Sequence, residues 1–359
     1  MKSLGPGLVF AGTSIGVSHV VQSTLAGADY GFTLIWAVVL ANVFKFPFFE
    51  YSSRYVAATG EHLLEGYRLV GKWAFSLFLI LSLLTMFPIQ AAVTMVATGL
   101  IANLINWSVS PVILSAVILF ICALILLIGR YPLLDKSMKV MVFVLALSTM
   151  IAFAVAVKHG SLAQPQFEKP FLWNLSGISF LVALMGWMLS TIDVSVWHSF
   201  WCFERRKQVH YQPSMKEALF DFHLGYWGTD LMALLFLSLG ALVMYGIGES
   251  FSGSAVTMFS TTISCFDAFP RIIREASVII FPSAKKHADK IYFGWMMVVA
   301  AGSLLIIGFF LNSMKILIDV ATTMSFLAAP VFAYINYHTV IDSHVSEEAR
   351  PSRLLRISS

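Results

Sequence analysis

Gly12-Thr-Ser-Ile-Gly-Val-Ser-His-Val-Val-Gln-Ser-Thr24 lies inside the first long apolar segment of the chain, between Leu4-Gly-Pro-Gly-Leu-Val-Phe-Ala-Gly12 and Leu25-Ala-Gly-Ala28. A membrane helix that only anchors reads Leu, Ile and Val throughout. This one places Gly12 and Gly16 among hydroxyls (Thr13, Ser14, Ser18), an imidazole (His19) and an amide (Gln22). Non-helical backbone at membrane depth is tolerated only where protein or a water-filled cavity surrounds it. Such interrupted helices are the best sequence pointer to a transporter's binding site. Close packing of neighbouring helices on small residues is the competing reading.

The rest of the chain supports a membrane setting. Apolar residues make up 58% and charged residues 12%, against roughly 25% charged in a soluble domain. The 359 residues suffice for about ten spans of ~20 residues with short loops. Apolar segments fall at about 5–27, 31–57, 73–104, 109–128, 137–157, 171–202, 222–246, 254–280, 291–312 and 315–338. None alternates as a barrel strand does, so the expected class is an all-α integral membrane protein of about ten spans. Cys122, Cys202 and Cys265 give no disulfide or metal-thiolate pattern, and no cleavable signal peptide is evident.

Basic residues set the expected orientation. All 23 lysines and arginines except Lys45, Lys158, Lys169 and Lys315 fall in the termini or in the loops after segments 2, 4, 6 and 8. The positive-inside rule then places both termini and those loops in the cytoplasm, with the protein in the inner (plasma) membrane. Asn106-Trp-Ser108 and Asn174-Leu-Ser176 match the glycosylation pattern by chance.

Segments 1–5 and 6–10 overlay as two halves of opposite orientation, because five is odd. Repeat one runs over about 5–157, repeat two over about 171–338, and a cytoplasmic tail over 339–359, all in one transmembrane domain. The second half also begins with a polar interruption, Gly186-Trp-Met-Leu-Ser-Thr-Ile-Asp-Val-Ser195. Matching breaks at the start of each half bring half-helix ends and freed carbonyls to one midplane site.

An ionisable group inside a span is a functional candidate by default. Asp193 is suited to coordinating a cation, relaying protons or pairing with Lys45. His19 is suited to a relay, a ligand or a gate, and equally to a satisfied core position. Lys45 either snorkels or pairs with Glu50, Asp193 or another acid. Asp267 is read as a bridge to Arg271 or Arg274. Gln90 and Thr94 either line a pathway or bond a neighbouring helix; Trp197 and His198 close the cavity or pack. The substrate-binding candidates among these residues are Ser14, Ser18, His19, Gln90 and Asp193, and the coupling or gating candidates are His19, Lys45, Asp193 and His198. No phosphate-binding loop, His-Glu-x-x-His helix, Gly-x-Ser-x-Gly elbow or arginine-rich sensor helix occurs, so an enzyme is not expected.

Gly5-Pro-Gly7, Leu25-Ala-Gly-Ala-Asp-Tyr-Gly31, Trp36-Ala-Val-Val-Leu-Ala-Asn42, Arg54 and Thr59-Gly60 resemble the opening of the NRAMP family of divalent-metal transporters. That resemblance implies a LeuT-type fold of two inverted five-helix repeats, with helices 1 and 6 interrupted, and proton-linked uptake of Mn2+, Fe2+ and related ions. The departures fall where the family binds metal. Its Asp-Pro-Gly-Asn reads Gly16-Val17-Ser18-His19 here, and its Met-Pro-His reads Thr191-Ile192-Asp193. The soft sulfur ligand is gone; on the register the resemblance implies, the metal candidates are Ser18, His19, Thr191 and Asp193, with Thr191 joining the substrate-binding set, and this oxygen-rich set favours a harder ion. Segment 8 reads as shortened, following an abrupt connection from Tyr245 to Met258. The expected partners are the transported cation and the lipid bilayer; no cofactor and no nucleic acid are called for.

Overall fold

In the computed structural model the described residues are 4–105, 109–160, 167, 170–246, 255–311, 313–352 and 355–356. The sequon at Asn106-Trp-Ser108, together with Lys2, Lys169 and Arg353, lies outside them. Among the described residues there are helices and no strands. The chain begins with α1 (Pro6–Ser14), a π-helical turn (Val17–Ser23) and α2 (Thr24–Tyr30). It continues with α3 (Ile35–Thr59), a short α4 (Leu63–Val70) and α5 (Lys72–Ile105). Next come α6 (Pro111–His159), α7 (Leu175–Trp187), α8 (Val194–Val209) and α9 (Met215–Leu239), which runs on into a π-helical turn (Gly240–Met244). The last three are α10 (Ala255–Ile280), α11 (Ala288–Phe309) and α12 (Met314–Ile341).

Among the described residues, six helical stretches are long and apolar enough to cross a bilayer, and two of these must fold back. Pro6–Thr59 holds 54 residues and Pro111–His159 holds 49, each far longer than a ~30 Å hydrocarbon core requires at 1.5 Å per residue. The first turns back at Gly31–Leu34. The second bends at Arg130, whose φ of 46° is left-handed, two residues before Pro132. With the α7/α8 pair and α10, the ten expected spans are all present.

The expectation of a short segment 8 is corrected. α10 is 26 residues long, ample for a crossing. Its low apolarity has another cause: from Ser260 to Arg271 it is buried inside the bundle, packed on α5, α11, α6 and α1. A span that touches protein rather than lipid has no need of an apolar surface. The lipid-facing rim shows the converse, with Ile128, Phe309, Leu327 and Leu104 exposed. A patch of that kind on a water-soluble protein would be a liability. α4, placed by the sequence only in a loop, is an amphipathic helix of about two turns that buries Leu63, Leu64 and Tyr67 and leaves Arg68 at the surface.

Spans 1 and 7 cross at contact distance because glycine stands at each touching point. A Cβ at Gly7 would lie 2.0 Å from the Asp221 carbonyl, and one at Gly225 would lie 2.1 Å from the Gly7 carbonyl. Further along, Gly27 and Gly240 meet the opposing backbone in the same way. Asp221 completes the join, its carboxylate accepting the Gly5 and Gly7 amides at 2.9 and 2.7 Å. These are the donors that a helix start leaves free.

Candidate cation site between the two helix breaks

The first span is interrupted after Ser14, where Ile15 and Gly16 leave helical geometry and the chain re-enters as a π-turn. The sixth is interrupted between Trp187 and Val194, with Asp193 heading α8. The two breaks meet around a small void of about 40 Å³, lined by Thr13, Ser14, Ser18, Ser190, Thr191 and Trp197 with wall residues from α5 and α10. That volume holds an ion with one or two waters. The Ser14 Oγ and Trp197 Nε1 on this wall are buried without a partner, and so is Asp193 Oδ2 at the head of α8. Orphan polar atoms of this kind are costly unless something visits them.

The carbonyls released by the breaks are answered from other helices. At the end of α1, Ser260 Oγ donates to Gly12 O at 2.8 Å. Thr261 Oγ1 donates to Thr13 O at 3.2 Å and Ile15 O at 3.4 Å. At the end of α7 the donor is Lys45 Nζ from α3, reaching the Met185, Gly186, Met188 and Ser190 carbonyls at 2.8, 2.8, 2.7 and 3.1 Å. Asn42 Oδ1 takes the Leu189 amide at 3.2 Å, and Trp187 Nε1 donates to Ser325 Oγ at 2.9 Å.

The structure distributes the sequence candidates unevenly. Ser14, Ser18 and Thr191 line the void. Asp193 is buried at the second break but is not on the void wall. His19 turns away, with Nδ1 on Ser18 Oγ of its own turn at 2.8 Å and Nε2 on Thr229 O of α9 at 3.2 Å. Gln90 stands behind the wall formed by Ile89 and Val93, its Nε2 donating to Thr94 Oγ1 and Thr262 O. His198 bonds Ser52 Oγ at 2.8 Å and packs edge-on against Phe10, away from the void. Lys45 does not snorkel and makes no contact ion pair among the described residues: Glu50 is taken by Arg54 and His223, and the ammonium sits on backbone carbonyls, within electrostatic reach of Asp193. Asp267 bridges Arg271 at 2.6 Å as read, and also accepts from Trp201 and Tyr292. Asn174 caps α7, accepting the Gly177 amide at 2.8 Å, so this residue of the second sequon has a structural duty.

Sequence reasoning missed Thr13, Ser190, Cys265 and the hydroxyl run on α10. The run Ser260-Thr-Thr-Ile-Ser264 within a span was the signal, since hydroxyls there usually satisfy another helix. No cluster of three or more His, Cys, Asp or Glu side chains able to hold a metal occurs among the described residues.

Two interrupted helices facing each other across a small polar void define a membrane transporter fold of the LeuT type. The family model described as Natural resistance-associated macrophage protein-like matches residues 7–262, and the chain belongs to this Nramp family. It is 33% identical to an uncharacterized protein, PM0681, of Pasteurella multocida (strain Pm70), over 94% of this chain and 85% of that one. Among solved structures, the Eremococcus coleocola manganese transporter in complex with an aromatic bis-isothiourea substituted compound superposes with a TM-score of 0.65 at 13% identity. That match covers 98% of this chain and 82% of the other. A variant of the same transporter gives 0.65 at 12%, with the same coverage.

Proposed function

We propose that this protein is a secondary transporter that moves a cation, with a divalent ion such as Mn2+ or Mg2+ foremost, by alternating access. Spans 1 and 6 rock against the remaining helices, and the basic-rich face with both termini is cytoplasmic in the inner membrane. The reading rests on one observation: the two breaks border one small void that carries hydroxyl side chains from both, with buried, unpartnered oxygens of Ser14 and Asp193 beside it. Ser14, Ser18, Thr191 and the Ser190 region offer hard oxygen donors, and Asp193 supplies the one carboxylate at the break. Such a donor set suits Mg2+ or Mn2+ better than softer ions. That a structural neighbour of this fold is a manganese transporter agrees with this choice. Proton linkage would run through Asp193 or His19, the titratable groups nearest the breaks.

The test is uptake of Mn2+ and Mg2+ into proteoliposomes by wild type and Asp193→Ala. The wild type is expected to accumulate one of the ions, and the variant to lose at least tenfold in rate. Equal uptake removes Asp193 from the mechanism, and no uptake of either ion removes the divalent-cation reading. A second reading, a transporter-shaped sensor or partner subunit or a carrier of a small non-metal solute, is favoured by the lack of a multi-ligand His, Cys, Asp or Glu cluster among the described residues. Solute flux separates the two.

A further inference from the structure

The end of α7 carries an arrangement that the transport reading does not use. Four backbone oxygens, of Met185, Gly186, Met188 and Ser190, surround one nitrogen, Lys45 Nζ, at 2.7–3.1 Å. An ammonium has three protons to donate, so four close oxygens are more than directed hydrogen bonding requires. Carbonyls converging on a point charge form the kind of cage that binds ions inside membrane proteins. Here the cage is the C-terminal end of a half-helix, where orphan carbonyls and the helix dipole concentrate negative potential. Lys45 comes from α3, some 140 residues away in the chain, and is buried. Its compact charge on a flexible stem reaches the cage from outside the α7/α8 break.

We propose that the opened end of α7 is a monovalent-cation site that the chain fills permanently with its own Lys45 ammonium. The second break therefore stays open and fixed without any bound inorganic ion. When vacated, the site takes a primary alkylammonium. This claim concerns the site alone and stands whether or not the protein carries a divalent ion.

The test is chemical rescue of purified protein, read as thermal unfolding in detergent. Lys45→Ala removes the stem and the charge and is expected to lower Tm by several degrees. Added n-propylammonium, which restores the deleted Cγ, Cδ, Cε and Nζ atoms, should recover most of that loss. Tetramethylammonium, equal in charge but without N–H donors, should not. Wild type should respond to neither amine, nor to exchange of Na+ for K+. Lys45→Met fills the same space without charge and should lose stability with no recovery in either amine. The proposal fails if Lys45→Met is as stable as wild type, if Lys45→Ala recovers equally in both amines, or if it recovers in neither. Should Lys45→Ala not survive purification, the readout becomes the yield of monodisperse protein extracted from membranes with and without n-propylammonium. An unchanged yield then overturns the proposal.

Discussion

Gly16 shows how much one residue decides. A Cβ there would lie 2.4 Å from Thr261 Oγ1 and 2.9 Å from Thr261 Cγ2, so the first break and α10 touch with no room between them. Gly16→Ala is expected to push the two apart or fill the void, at a cost of about 1–3 kcal/mol for an overpacked interior site. The lowered Tm should come with a larger proportional loss of flux. Normal flux in a destabilised variant would show that the void is not on the pathway. His19 teaches the complementary lesson. A titratable ring in a polar stretch reads as a ligand, yet it is held between Ser18 Oγ and the Thr229 carbonyl. Which way a side chain points on a helix that has lost its regular turn cannot be counted off along the chain.

At the scale of elements, two helices end in mid-membrane, and their free carbonyls are met in different ways. The end of α1 is met by neutral hydroxyls from α10, and the end of α7 by an ammonium from α3. A buried acceptor left without its donor costs about 1–3 kcal/mol. Ser260→Ala and Thr261→Val are each expected to destabilise by about that amount, since neither replacement leaves a group that can donate. Combined, they should be less than additive if the α1 end relaxes as a unit. Unfolding of the two single variants and the double variant measures this. A double variant as stable as wild type would mean that water, not α10, satisfies the break. The polarity of α10 was legible as a run of hydroxyls. Its purpose was not, because the partners lie some 250 positions earlier.

Across the whole molecule, the basic-rich face is closed by a ring of charged contacts. Glu204 near the end of α8 pairs with Arg271 and Arg274 of α10, both at 3.4 Å. His62 beside α4 faces Glu275 at 3.5 Å, Arg205 reaches Asp135 at 3.5 Å, and Arg206 donates to the Gly60 carbonyl. Trp201 Nε1 donates to Asp267 below them at 3.3 Å. These contacts tie the second half of span 6 to α3, α6 and α10, so this face opens only when they part. Glu204→Gln is expected to favour opening there, by about fivefold for each kcal/mol removed. The readout is thiol labelling of Cys265, on the void wall, in a background carrying Cys122→Ala and Cys202→Ala. Faster labelling from the basic-rich side is the expected result, and an unchanged rate would mean that Glu204 does not hold this gate.

The amino-acid sequence alone determined that this chain lives in a bilayer, crosses it ten times and interrupts its first and sixth crossings. Those properties follow from local composition, because a span must be apolar where it meets lipid, and glycine and hydroxyls mark where a helix gives way. It also singled out Ser14, Ser18 and Thr191, whose side chains line the void between the breaks. Tertiary structure alone decided that His19 is held between Ser18 and Thr229, that His198 bonds Ser52, that α10 is a buried span of full length, and that Lys45 sits on four carbonyls. Each of those depends on how helices far apart in the chain are rotated against one another. Rotation is fixed by the summed fit of many weak contacts, and no single stretch of sequence encodes it.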